Sequence, residues 1–148
     1  MSHSKARVSG AVAVEFALLI IPLLLIVAGI VEFGRMFWYY DAISKGTRDA
    51  ARYVSNARAS STQAVDNVIS DWAIDMVVAS ATAANVPDFE PEQVSVTCDP
   101  ADCSAPDYVS VNVAYPLQLG SWIPFFGSAG ATTWDVTLAP ATTMRYMR

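Results

Sequence analysis

A chain of 148 residues in which 53% of side chains are hydrophobic and only 16% charged, at a mean hydropathy of +0.34, is too apolar and too sparsely charged for an ordinary soluble domain. The net charge of −5 is unevenly spread: no Lys or Arg lies between Ala59 and Met144, whereas Asp66, Asp71, Asp75, Asp88, Glu90, Glu92, Asp99, Asp102, Asp107 and Asp135 all do. So anionic a distal part makes nucleic acid and the anionic membrane surface poor partners for it.

The first expected element is an apolar helix. Phe16 to Val31 carries no charge, and extending back to Ala11 gives 21 residues with Glu15 as the sole ionisable group. At about 1.5 Å per residue this crosses a hydrocarbon core of about 30 Å. Pro22 removes one backbone hydrogen bond and crowds Leu18, which predicts a kink rather than a stop. A cleaved secretory signal is the competing reading, with Lys5 and Arg7 as its basic region and Val27-Ala28-Gly29 as a small-residue site. Against it, Glu15 interrupts the start of the apolar run, and helical patterning continues past Gly29. An ionised carboxylate at the centre of a bilayer costs roughly 3 kcal/mol, so Glu15 calls for a partner.

From Gly10 to Tyr53 the string GAVAVEFALLIIPLLLIVAGIVEFGRMFWYYDAISKGTRDAARY resembles the TadE-like domain of the bacterial tight-adherence (Tad) pilus systems. The resemblance rests on the combination of Gly10, VEFAL, the mid-helix Pro22, EFGR and a late Ala-Arg pair, and covers about a third of the chain. It implies a pseudopilin-like protein that helps to assemble an adhesive pilus: a cytoplasmic leader, one helix in the inner membrane and an exported C-terminal domain. Its implied partners are other pilin-like subunits, inner-membrane pilus assembly proteins and a prepilin peptidase. By the family's rule the leader is cut between Gly10 and Ala11, and Glu15 becomes the fifth residue of the mature chain. Phe16 departs from the Tyr usual at this place in major pilins of these systems, which favours a minor component.

A physical reason for that spacing stands beside the resemblance. A cut would create a cationic amine at Ala11 in or beside lipid, and a carboxylate one helical turn away neutralises it, in the same chain or in a neighbour. The alternative is that Glu15 sits hydrated at headgroup depth with no cut, the chain being an unprocessed single-pass membrane protein that presents an exported binding or scaffold domain. Orientation is contested too. Arg35, Lys45, Arg48 and Arg52 follow the apolar run, and a count of basic residues places the C-terminal side in the cytoplasm. Asp41 and Asp49 at helical spacing from those cations, with the extracytoplasmic look of Cys98 and Cys103, favour export instead.

Past the bilayer the helix is expected to continue to Ala57, because Phe33, Met36, Tyr40, Ile43, Thr47, Ala50 and Val54 recur at steps of three and four. This stripe is read first as the seat of the exported domain. Glu32 with Arg35, Asp41 with Lys45, and Asp49 with Lys45 or Arg52 are expected ion pairs, and Phe37 to Tyr40 an interfacial aromatic belt. The organisation is therefore a leader at 1–10, a membrane helix at 11–31, its extension at 32–57 and an exported domain at 58–148.

After a Ser/Ala-rich turn at Ala57 to Thr62, a second helix is expected over Thr62 to Ala84, with Val65, Val68, Ile69, Trp72, Met76 and Ala79 on its packing face. The period then becomes two in Val94-Val96-Cys98, Val109-Val111-Val113-Tyr115 and Trp134-Val136-Leu138. Three or four antiparallel strands complete an α+β domain of pilin-like plan. Cys98 and Cys103 read as a loop-stapling disulfide rather than free thiols. With His3 as the lone histidine, they offer no tetrahedral zinc site. The acids around them lack EF-hand spacing and read as solvated loop charge. Gly120 to Gly127, with Trp122, Ile123, Phe125 and Phe126, is a core plug or a contact surface. No nucleophile with a base, phosphate loop or metal constellation is present, so neither catalysis nor a cofactor is expected.

Overall fold

One helix, α1, runs from Ala6 to Asn56 and continues through Pro22. In this computed structural model the described residues are 6–57, 65–120 and 134–147. The leader up to Lys5, most of the Ala57 to Thr62 turn, the Ser121 to Gly127 loop segment and Arg148 lie outside them. Packing divides the chain into two units, Met1–Arg35 and Met36–Arg148.

The first unit contributes an apolar helix surface. The most apolar stretch of 18 residues has a mean hydropathy of 2.8, and none of it is buried within the molecule. Leu, Ile, Val and Phe side chains facing outward all round a helix have no protein core to enter, and lipid is the solvent that suits them. The segment fits a membrane anchor.

The second unit opens with the Met36 to Asn56 part of α1. Its inward stripe is Tyr39, Ile43, Thr47, Ala50, Ala51 and Val54, all buried. Tyr39, and not the expected Tyr40, joins the core; Tyr40 and Phe33 are exposed. Helix α2 (Asn67–Ala83) starts at Asp66, whose carboxylate accepts from the Ile69 N–H at 2.9 Å, and so begins later than the sequence reading has it. It stops in a Schellman turn. Asn85 takes φ 55°, its N–H reaching Thr82 O at 3.0 Å, and the Val86 N–H reaches Ala81 O at 3.0 Å.

The face that α2 buries also differs from expectation. Ala73, Val77 and Ala81 are fully buried, while Val68 and Trp72 point outward. The cause lies opposite, at Gly46 of α1: a Cβ built there would stand 2.9 Å from Ser80 Cβ and 3.2 Å from Val77 Cα. Two backbones this close leave room for small side chains only. Ser80 Oγ locks the contact by donating to Ala42 O at 2.9 Å.

Three antiparallel strands, in the order β1 (Val94–Asp99), β2 (Tyr108–Val113), β5 (Ala141–Arg145), form the main sheet. Val109, Val111 and Val113 of β2 are buried on one face. Thr142 of β5 pairs with Val111 and so shares that face, and its hydroxyl meets that of Thr47 at 3.2 Å, which places α1 against it. On the opposite face Thr97, Ser110 and Thr143 stand in one row across the strands, with Ser110 and Thr143 hydroxyls 2.7 Å apart. Apolar inside and hydroxyl outside is the alternation of a sheet with one wet face. Beyond Val113 the expected long strand breaks at Ala114, and the chain enters a separate ribbon of β3 (Tyr115–Leu119) and β4 (Trp134–Leu138). Tyr115, Leu117 and Leu138 return to the core, and the Tyr115 hydroxyl is satisfied by Pro87 O at 2.7 Å. The architecture is α+β, a long helix followed by a second helix and small antiparallel sheets.

Candidate functional site

The residues singled out at the start of the apolar segment lie on regular helix. Gly10, Ala11 and Glu15 are all exposed. Ala11 and Glu15 are four apart and therefore share a helix face. Nothing lies within 4 Å of a Cβ built on Gly10, so no packing contact requires glycine there, although glycine costs a helix about 1 kcal/mol relative to alanine. Gly29 and Gly34 are equally open. Gly46 is the one helical glycine that the fold explains.

At the end of the same unit Arg35 Nη2 donates to Glu32 Oε1 at 2.9 Å. Glu32 is only 6% exposed, and a buried carboxylate needs this cation more than a surface one does. Farther along, Lys45 meets Asp41 at 2.6 Å on the surface, and among the described residues the expected pairing of Asp49 with Lys45 or Arg52 does not form. The expected aromatic belt is split. Phe37 and Trp38 face outward with Tyr40, Tyr39 turns into the core, and the Trp38 indole donates to Ala84 O at 3.2 Å across to the end of α2.

Cys98 and Cys103 form a disulfide, with Cα atoms 5.3 Å apart, that closes the β1–β2 connection. The Val65 N–H donates to Cys103 O at 2.9 Å, and the Asp107 N–H to Asp99 O at 2.7 Å. The staple therefore also holds the approach to α2. Cys103 itself takes φ 52°, a left-handed conformation uncommon for residues other than glycine. Among the described residues no group of three or more His, Cys, Asp or Glu side chains is placed to hold a metal ion.

Residues 10–52 match the model of the family described as TadE-like protein. Over this segment, about a third of the chain, the sequence is similar to that family. The match begins at Gly10, takes in Glu15, Pro22, the Glu32–Arg35 pair and Gly46, and ends within α1. The helix α2, the sheets and the disulfide lie beyond it. Searches of curated proteins and of solved structures returned no match. Among the residues that sequence reasoning missed, Gly46 carries a signal only in hindsight of packing: a helical glycine whose partner stripe is Ala73, Val77, Ser80 and Ala81.

Proposed function

We propose that this chain is a minor pilin-like component of Tad pilus assembly, cut by a prepilin peptidase between Gly10 and Ala11. Its helix packs against other pilin-like helices, and its C-terminal domain is exported. The observation that carries the reading is Gly10 itself. It sits on open helix where the fold gains nothing from glycine, at the first residue of the TadE-like match and five before Glu15. A residue the fold does not need is one that an outside agent can require, and a peptidase that reads a small residue beside its cut is such an agent.

After the cut, the Ala11 amine and the Glu15 carboxylate are a cation and an anion in an apolar setting. Each alone is costly, and paired across helices they are tolerated, which favours a helix that joins others over one that stands by itself. The Cys98–Cys103 disulfide supports an extracytoplasmic domain, since such crosslinks persist in oxidising compartments. No catalytic or cofactor role enters this proposal.

Mass spectrometry of the mature chain tests the cut. A first residue of Ala11 is expected, and an intact N-terminus in cells that hold the peptidase would favour the unprocessed anchor instead. Replacing Glu15 by Leu should leave insertion intact and abolish co-assembly with pilin-like subunits; normal co-assembly would refute the pairing.

A further inference from the structure

Two exposed surfaces of the second unit have complementary chemistry. The outward face of α2 carries Val68, Asp71, Trp72 and Asp75, which fall within about 100° of helix circumference. Trp72 is 59% and Val68 62% exposed, an apolar pair flanked on one side by the two carboxylates. Aromatic side chains are enriched at protein contact surfaces relative to the rest of the exterior.

The second surface lies on α1. Lys45, Arg48 and Arg52 recur at steps of three and four and therefore line one face. Lys45 is held by Asp41, and among the described residues neither Arg48 nor Arg52 makes an ion pair. Beside them is a cleft of about 240 Å³ lined by Lys45, Arg48, Asp49, Arg52 and Met144. A lining of guanidinium groups, a thioether and a carboxylate suits an indole: cation–π contact, sulfur–ring contact and an acceptor for the indole N–H. Arg48 and Arg52 are four residues apart, as are Asp71 and Asp75, so each pair spans about 6 Å of helix and the two match charge for charge.

We propose that the α2 face of one copy docks on the α1 cleft of a second copy, with Trp72 seated in the cleft and Asp71 and Asp75 set against Arg48 and Arg52. Charge selects the occupant. From Ala59 to Met144 the chain has no cation, so an acidic α2 face finds no match on another copy's α2, β1–β2 connection or ribbon, and finds one on α1. The two faces are different patches of the molecule, which makes the contact heterologous: repeated copy after copy it builds a line or a ring rather than closing as a symmetric pair. It holds whether or not the chain is cut at Gly10.

The test uses the full chain in detergent micelles, with two differently tagged versions mixed and one tag captured. Wild-type copies are expected to co-purify, less so as salt is raised. Arg48→Glu with Arg52→Glu should reduce self-capture roughly tenfold or more, as should Asp71→Arg with Asp75→Arg, because each variant opposes like charges. Mixing the two variants restores opposite charges at both contacts, and capture should return towards wild type. Far-UV circular dichroism and an intact disulfide establish that each variant is folded. Absence of wild-type association, self-capture that persists in either variant, or failure of the folded mixed pair would each overturn the proposal. Persistence is the outcome expected if copies met through their apolar helices alone.

Discussion

Replacing Gly46 by Ala sets two known magnitudes against each other. In an open helix the change stabilises by about 1 kcal/mol, because glycine loses more backbone freedom on folding. Here the new methyl would stand 2.9 Å from Ser80 Cβ and 3.2 Å from Val77 Cα, where carbon atoms normally sit 3.5–4.0 Å apart. Neither atom is the end of a flexible side chain, so α2 itself must move by several tenths of an ångström. That movement lengthens the 2.9 Å bond from Ser80 to Ala42 O and loosens Ala73, Val77 and Ala81, all fully buried. Overpacking of this kind costs about 1–3 kcal/mol. The net expectation is a loss of about 1 kcal/mol, growing to about 3 kcal/mol for Gly46→Val. Urea unfolding of the full chain in detergent, followed by tryptophan fluorescence, measures it. A Gly46→Ala chain about 1 kcal/mol more stable than the parent would show the helices to be farther apart than described, and the reasoning would fail. A cycle sharpens the point. Ser80→Gly removes the nearest atoms, so Gly46→Ala should cost about 1 kcal/mol less in that background than alone.

Three further outcomes follow from the second unit. Loss of the Cys98–Cys103 crosslink, by Ser at both positions, should cost about 2 kcal/mol, the loop-closure value for so short a loop, and an unchanged urea midpoint would count against a staple at this site. At the ends of α2, Asp66→Ala should cost about 1 kcal/mol and Asp66→Asn much less, while Asn85→Gly should be neutral or stabilising and Asn85→Val destabilising, all read as shifts in thermal midpoint. Tyr146 is 3% exposed and its hydroxyl meets no partner among the described residues, so Tyr146→Phe should be neutral or stabilise by up to about 1 kcal/mol; a loss of that size would reveal a bound water or an unseen acceptor.

How much of this fold is legible in the sequence depends on what each element asks of its residues. The apolar half of α1 asks for bulk hydrophobicity, which any window over Ala11 to Val31 supplies. Strands β1, β2 and β4 ask for alternation, and Val94-Val96, Val109-Val111-Val113 and Val136-Leu138 supply it. Strand β5 asks for little, since Ala141-Thr-Thr-Met-Arg145 lies beside β2 alone and half-buries just Thr142 and Met144; its partner defines it. The packing face of α2 is not legible from hydrophobicity, which weights Trp72 above Ala73 and Ala81 and does not separate Val68 from Val77. Close approach at Gly46 rewards the small residues, and that preference belongs to the helix opposite, where no periodicity of α2 can record it.

The same division separates fold from function along α1. From Tyr39 to Val54 nearly every inward residue has an intramolecular reason: Ile43, Ala50 and Val54 fill the core, Thr47 meets Thr142, and Gly46 admits α2. From Gly10 to Val31 none does among the described residues, because a Cβ built on Gly10 or Gly29 meets nothing within 4 Å and nearly all the apolar side chains are exposed. A bilayer explains the hydrophobic ones, yet it is indifferent to a glycine at 10 and penalises an acid at 15. Those two residues were readable early because their chemistry depends on distance along the chain, which folding leaves unchanged. Trp72 and the Arg48–Arg52 pair were not, since their complementarity depends on which faces the packing of Gly46 leaves outside. Both groups are residues that the isolated chain does not use, and both point to contacts made with something other than itself alone.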